Sequence, residues 1–228
     1  MQNVIVIFKK QLRDTLKNKM ILIQFILFPV LTLIMENCIT INDMPEHFFT
    51  KLFAVMYIGM APLVSASSII AEEKEKDTLR VLMHANIKPW QYLAGVGSYI
   101  WLICMIGASI MSAGLPSDER LFFLCVMAIG FVISIIAGAC VGIFAKNQMT
   151  ATSVVMPVMM VLSFAPMLAM FNDIIKKGAV VFYTQQLRNI FDEMSWSAAG
   201  TKSVVIICAN ALVFAVLFAV LYRKKGLE

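Results

Sequence analysis

Six apolar runs divide this chain, at residues 20–41, 52–71, 91–113, 121–145, 149–171 and 203–222. The hydrocarbon core of a bilayer is roughly 30 Å thick and takes about 20 residues of helix to cross. Backbone N–H and C=O groups find no water there, so each crossing must satisfy its own hydrogen bonds by being helical. Six such runs in 228 residues leave no room for a second core. The expected fold is an all-α integral membrane protein of six transmembrane helices, one domain over 1–228.

A water-soluble alternative fails on composition. Hydrophobic residues make up 60% of the chain and charged ones 14%, against roughly 45–50% and 25% in soluble domains, so a polar shell cannot be built. The net charge of +5 does not point to nucleic acid, because the basic residues sit in short connections between apolar runs and not on one folded face. Their distribution gives topology instead. Connections on one side hold Lys9, Lys10, Arg13, Lys17, Lys19, Lys74, Lys76, Arg80, Lys88, Lys146, Arg223, Lys224 and Lys225, thirteen of the 19 basic residues, and the other side holds Lys51, Arg120, Lys176, Lys177, Arg188 and Lys202, the remaining six. Positive charge is retained inside, so both termini are expected in the cytoplasm and the protein in the cell inner or plasma membrane. The first run is longer than a signal-peptide core and no small-residue cleavage site follows it, so it is expected to stay in the mature protein. The five cysteines form no CxxC pair and are expected to be free thiols in helix packing.

Three segments outside the spans carry helical patterns. In 1–19, Val4, Ile5, Phe8, Leu12 and Leu16 form one stripe with Lys9, Lys10, Arg13 and Lys17 largely off it, the pattern of a helix lying flat on anionic lipid or of an extension of the first span. In the extracellular segment 172–202, Leu187, Ile190, Phe191 and Met194 fall at helical spacing beside Arg188, Asp192 and Glu193, which predicts a short amphipathic helix at or dipping into the outer interface.

The third is the cytoplasmic loop 72–89. Its first half is charged, and Leu79, Leu82 and Met83 form an apolar edge that belongs to no span. A short helix so patterned is expected to need a groove on a partner. Thr78 is placed to cap it, Arg80 to turn outward, Pro89 to stop it, and Trp90 and Tyr92 to re-enter the membrane at the interface. A solvated loop with incidental leucines is the plainer alternative.

At these residues the chain resembles the ABC-2 type permeases, the transmembrane subunits of ABC exporters. That family typically shows Glu-x-Glu-x-x-Thr-Leu after its second span, another Leu three residues on, and an interfacial aromatic. Here the match is Glu73-Lys-Glu75-Lys-Asp-Thr78-Leu79, then Leu82 and Trp90. Asp77 stands where the family often has Gly, and Ala85 where it often has Pro. With the N-terminal helix, six spans and the extracellular helix, the resemblance covers nearly the whole chain. It implies that Glu73, Glu75, Thr78, Leu79, Arg80, Leu82 and Met83 form a coupling helix docking on an ATP-binding cassette subunit. It also implies a dimer with a second copy or a paralogue.

The chain itself has no G-x-x-x-x-G-K-[ST] phosphate loop, so ATP and Mg are expected on the partner subunit and no cofactor on this chain. No enzymatic activity is expected of it. A membrane enzyme would need clustered His, Asp, Glu or Ser at membrane depth, whereas His47 and His84 lie in loops expected on opposite sides. The substrate-binding component of an energy-coupling-factor importer is also small and six-spanned, but leaves the striped loop unaccounted for.

Two features bear on a pathway. Glu36 is the acidic residue deepest in a predicted span, a functional candidate in itself, or a side chain that reaches the outer interface to pair with Lys51 or water. Met156, Met159 and Met160, with Pro157 and Pro166, lie in the fifth run, and Met56 and Met60 lie in the second. Methionines repack around variable apolar shapes and prolines permit bending, so these residues either line a path for an amphipathic or hydrophobic cargo or simply pack. Without rows of aromatics for sugar stacking, a small peptide such as a bacteriocin or toxin is the first expectation, a drug or lipid the second.

Overall fold

A computed structural model describes residues 2–15, 19–39, 45–84, 87–195 and 199–225, and among them there are helices and turns but no strand. The apolar runs become α2 (Lys19–Cys38), α3 (Phe48–Glu75), α5 (Pro89–Met111), α6 (Ser117–Phe144), α7 (Gln148–Leu168) and α10 (Thr201–Lys225). Shorter helices join them: α1 (Gln2–Thr15) before the first run, α4 (Thr78–His84) between α3 and α5, and α8 (Asp173–Ala179) and α9 (Tyr183–Glu193) between α7 and α10. α3, α5, α6, α7 and α10 are each long and apolar enough to cross a membrane, while α2 carries a shorter apolar stretch, Leu22–Cys38. The chain is a multi-pass, membrane-embedded helical protein.

α3 is the central post, with α6 and α7 packed directly on it and α2 and α5 flanking. In lipid no hydrophobic drive pulls helices together, so close approach through small residues must supply the packing energy. α6 does this with Gly130, Ser134, Gly138 and Gly142, spaced by four and so on one face. A Cβ on Gly138 would collide with the Leu63 carbonyl, and one on Gly142 would lie 2.9 Å from the Ser67 carbonyl.

Two prolines inside helices are matched by hydroxyls from neighbours. A proline has no N–H to give the carbonyl four residues back, and in hydrocarbon that carbonyl needs another donor. Pro29 frees Phe25, whose carbonyl accepts from the Tyr57 hydroxyl at 3.1 Å. Pro62 frees Ile58, whose carbonyl accepts from Ser134 Oγ at 2.6 Å. The Tyr57→Phe variant is therefore expected to lose roughly 1–3 kcal/mol, the cost of a buried unpaired acceptor, read as a lower melting temperature in detergent. An unchanged melt would mean the Phe25 carbonyl needs no partner.

The N-terminal helix also packs on the bundle. α1 packs along α5, with Ile7 against Gly95 and Phe8 edge-on to Tyr99 at 6.0 Å between ring centres. The face turned into the protein is Ile7 and Gln11, while Ile5 and Leu12 of the expected stripe, together with Val6, are exposed. Leu16 lies outside the described residues. The segment expected to hold an amphipathic helix forms α9, which packs into the bundle with Leu187, Arg188, Ile190 and Phe191 all buried, and α8 was not expected. All five cysteines are free.

Candidate functional site

The charged segment after the second run is a junction of helix ends. α3 runs on through Glu72 to Glu75, so the start of the expected loop is its last turn. Lys76 and Asp77 form the turn that follows, and Asp77 takes φ 55°, the left-handed region where glycine is most at ease. Thr78 then opens α4. Its hydroxyl donates to the Glu73 carbonyl at 2.9 Å, so it ties α4 back to α3 and does not cap α4 as expected.

Three successive side chains at the end of α3 each hold a different helix. Glu73 Oε1 accepts from Lys10 Nζ and Gln11 Nε2 of α1, both at 2.5 Å. Lys74 Nζ donates to the Ile143 carbonyl at 3.1 Å, in the last turn of α6 where carbonyls lack helical donors. Glu75 Oε2 accepts from the backbone N–H of Gln148, the first residue of α7, at 2.9 Å, a carboxylate at the positive end of a helix. Asn147 Oδ1 caps the same helix by accepting from Thr150 N at 2.8 Å. Glu73 is 5% exposed. Its Oε2 and the buried Tyr92 hydroxyl of α5 make no close hydrogen bond elsewhere among the described residues, and the two side chains interact with each other. One turn of α3 thus fixes the ends of α1, α6 and α7 and reaches α5.

This changes the roles expected of the loop residues. Glu73 is enclosed by α1. Leu79 is 1% exposed and sits in the chain's own core, with Leu82 packed against the same core. Glu75 is exposed, but its carboxylate holds α7. Val81, 64% exposed, is a large apolar residue that α4 turns outward, with Lys76 and Asp77 exposed beside it. The side chains of Arg80 and Met83 lie outside the described residues. Pro89 does not stop α4, which ends at His84, but begins α5, where its missing N–H is no loss.

At the opposite end of the spans, Glu36 also works as a cap. Its Oε2 accepts from Thr50 N at 3.0 Å and Thr50 Oγ1 at 3.2 Å, in the first turn of α3, and Oε1 lies 3.4 Å from His47 Nδ1. The pairing considered with Lys51 is not made: Lys51 Nζ points to the Asp192 carbonyl at the end of α9, 3.4 Å away. A cleft of about 450 Å³, lined by Thr32, Glu36, Asn37, His47 and Thr50 among others, opens beside this cap. On α9, burial raises the pKa of the Tyr183 hydroxyl and its hydrogen bond with Ser134 lowers it by less, so Tyr183 stays neutral.

The methionines separate into two groups. Met56 and Met159 are buried, where α3 packs on α7, and Met60 is half-buried. Met156 and Met160 are exposed on the outer face of α7. The five are not brought together around one channel within a single chain.

No protein-family model matches this chain, and no curated protein matches its sequence.

Sequence reasoning missed the three-way tie at Glu73, Lys74 and Glu75, whose partners lie on other helices. It also missed the every-fourth-residue row on α6, which the sequence displays openly.

Proposed function

We propose that this chain is the membrane permease half of an ATP-driven exporter of the ABC-2 type. In this reading α2 supplies a sixth span and both termini are cytoplasmic, as the thirteen-to-six division of Lys and Arg indicates. A separate cassette subunit carries ATP and Mg and pushes on α4. Two copies of the chain, or this chain and a paralogue, enclose the cargo path. The observation that carries the reading is the α3–α4 junction: a short helix between two spans, its apolar edge seated in the bundle and Val81 turned out, fixed to the ends of α1, α6 and α7 by Glu73, Lys74 and Glu75. Force applied at α4 reaches four helices through direct bonds, which is what rigid-body switching of a bundle requires. The exposed Met156 and Met160 suit a path between two copies that takes an apolar or amphipathic cargo, a small peptide first and a drug or lipid second.

The test separates docking from folding. Val81→Asp changes an exposed position, so the variant is expected to insert and melt like wild type while an ATP-hydrolysing companion, recovered with tagged wild-type protein from native membranes, is lost by at least tenfold. Undiminished recovery of that companion would remove α4 as its docking element, and full transport by the purified chain alone would remove the exporter reading.

A further inference from the structure

We propose that the polar face of α9 is a binding site for one small monovalent anion, a halide or a carboxylate group, held by the Arg188 guanidinium and the Thr184 hydroxyl. Along α9, Thr184, Gln185, Arg188, Asn189 and Asp192 share one face at the helical repeat, and Tyr183, Leu187, Ile190 and Phe191 the other. An amphipathic helix ordinarily gives its polar face to water. Here α3, α6, α7 and α10 all pack on α9, and Thr184, Gln185 and Arg188 are each at most 5% exposed. The polar face meets solvent at its edge, where Asn189 and Asp192 are exposed. Deeper in, three atoms have no hydrogen-bond partner among the described residues: Thr184 Oγ1, Gln185 Oε1 and Arg188 Nη1. Residues three and four apart are neighbours on a helix surface, so Thr184 and Gln185 both flank Arg188.

Charge decides what fills this place. A buried charge without a counter-charge costs more than an orphaned neutral group. The Asp192 carboxylate offsets Arg188 only in part, since it meets Nε at 3.4 Å, near the limit of a hydrogen bond, and its side chain is 50% exposed. Nη1 leaves the planar guanidinium on the side away from that Nε–H, so it faces away from Asp192. Lys51 brings a second cation, its Nζ 3.4 Å from the Asp192 carbonyl. Water would answer the hydrogen bonds but not the charge. An anion at Nη1 answers both, and it gives the Thr184 hydroxyl an acceptor. Gln185 adapts to it: a half-turn of its amide together with that of Asn189 keeps their 3.0 Å hydrogen bond and turns the Gln185 NH2 into the site.

The inference rests on how α9 is packed and not on the exporter reading. The full-length protein is purified in a neutral detergent and sodium gluconate, then titrated with sodium chloride or sodium acetate at constant ionic strength. Its melting temperature is expected to rise with the logarithm of either anion's concentration, by about 3–5 °C per tenfold once the site is more than half filled. One equivalent of radiolabelled chloride is expected to bind per chain. Displacement of that chloride by acetate at equal or lower concentration identifies a carboxylate site, and displacement only at higher concentration a halide site. Thr184→Val keeps the shape and is expected to weaken chloride binding about tenfold, with the melt in gluconate unchanged. Arg188→Met is expected to abolish binding and to melt in gluconate no lower than wild type, because the uncompensated charge goes with it. Equal melting of wild type in the three salts, or chloride held as tightly by Arg188→Met, would overturn the proposal. So would an Arg188→Met melt well below wild type in gluconate, since the pair with Asp192 would then account for the arginine.

Discussion

Gly138→Leu is expected to leave the protein inserted but unable to close its bundle. The atom in the way is the Leu63 carbonyl of α3, a backbone group that cannot rotate aside like a side chain. Relief requires α3 and α6 to move apart. Separation would stretch the Ser134–Ile58 hydrogen bond one turn away and open the contact of Gly142 with Ile70. Overpacking usually costs roughly 1–3 kcal/mol. Here the unpaired Ile58 carbonyl adds a further 1–3 kcal/mol or so, because α3 is the helix on which the others assemble. The check is size-exclusion chromatography of heated, detergent-solubilised protein, with Gly178→Ala as control, since nothing lies within 4 Å of a Cβ at Gly178. A Gly138→Leu variant that elutes and melts with the control would mean that the α3–α6 crossing is looser than the structure has it.

What the sequence made legible was what hydrocarbon enforces. The apolar runs became helices because no other backbone conformation survives there, and the two prolines within α2 and α3 were accommodated because Tyr57 and Ser134 stand opposite the carbonyls they free. The ends were less legible. α3 runs past its apolar run to Glu75, since at the membrane surface charge does not end a helix, and backward to Phe48, which places amide groups beside Glu36 and explains why that carboxylate binds Thr50 and not Lys51. Leu79 and Leu82 show what spacing leaves open. Their spacing states that an apolar edge must be covered but not by whom. Covered by the chain itself, they make α4 part of the bundle and leave Val81 exposed. α1 shows the same ambiguity: its apolar residues divide between α5 and the exposed face, and Gln11 is buried for the sake of Glu73.

That burial sets up an asymmetry by which the junction can be tested from either side. Lys10→Met should be more damaging than Glu73→Leu, although both break the same ion pair. The Lys10 side chain is 36% exposed, so when Glu73 is removed its ammonium turns to water. The lasting loss is then the Gln11 amide, a buried donor worth about 1–3 kcal/mol. Removing Lys10 instead strands the Glu73 carboxylate, which is 5% exposed, with the Gln11 amide and the neighbouring Tyr92 hydroxyl but no cation beside it. An uncompensated buried charge costs roughly 3–5 kcal/mol, here nearer the lower figure because Gln11 stays. Replacing both partners with apolar residues removes the charge altogether, so Lys10→Met combined with Glu73→Leu should regain at least half of the stability lost by Lys10→Met alone. Melting of the three variants in one detergent gives the order, and trypsin cleavage after Arg13 reports whether α1 has lifted from α3 and α5. A double variant no better than Lys10→Met would show that α1 is held by Ile7 and Phe8 against α5, with the carboxylate incidental to its place.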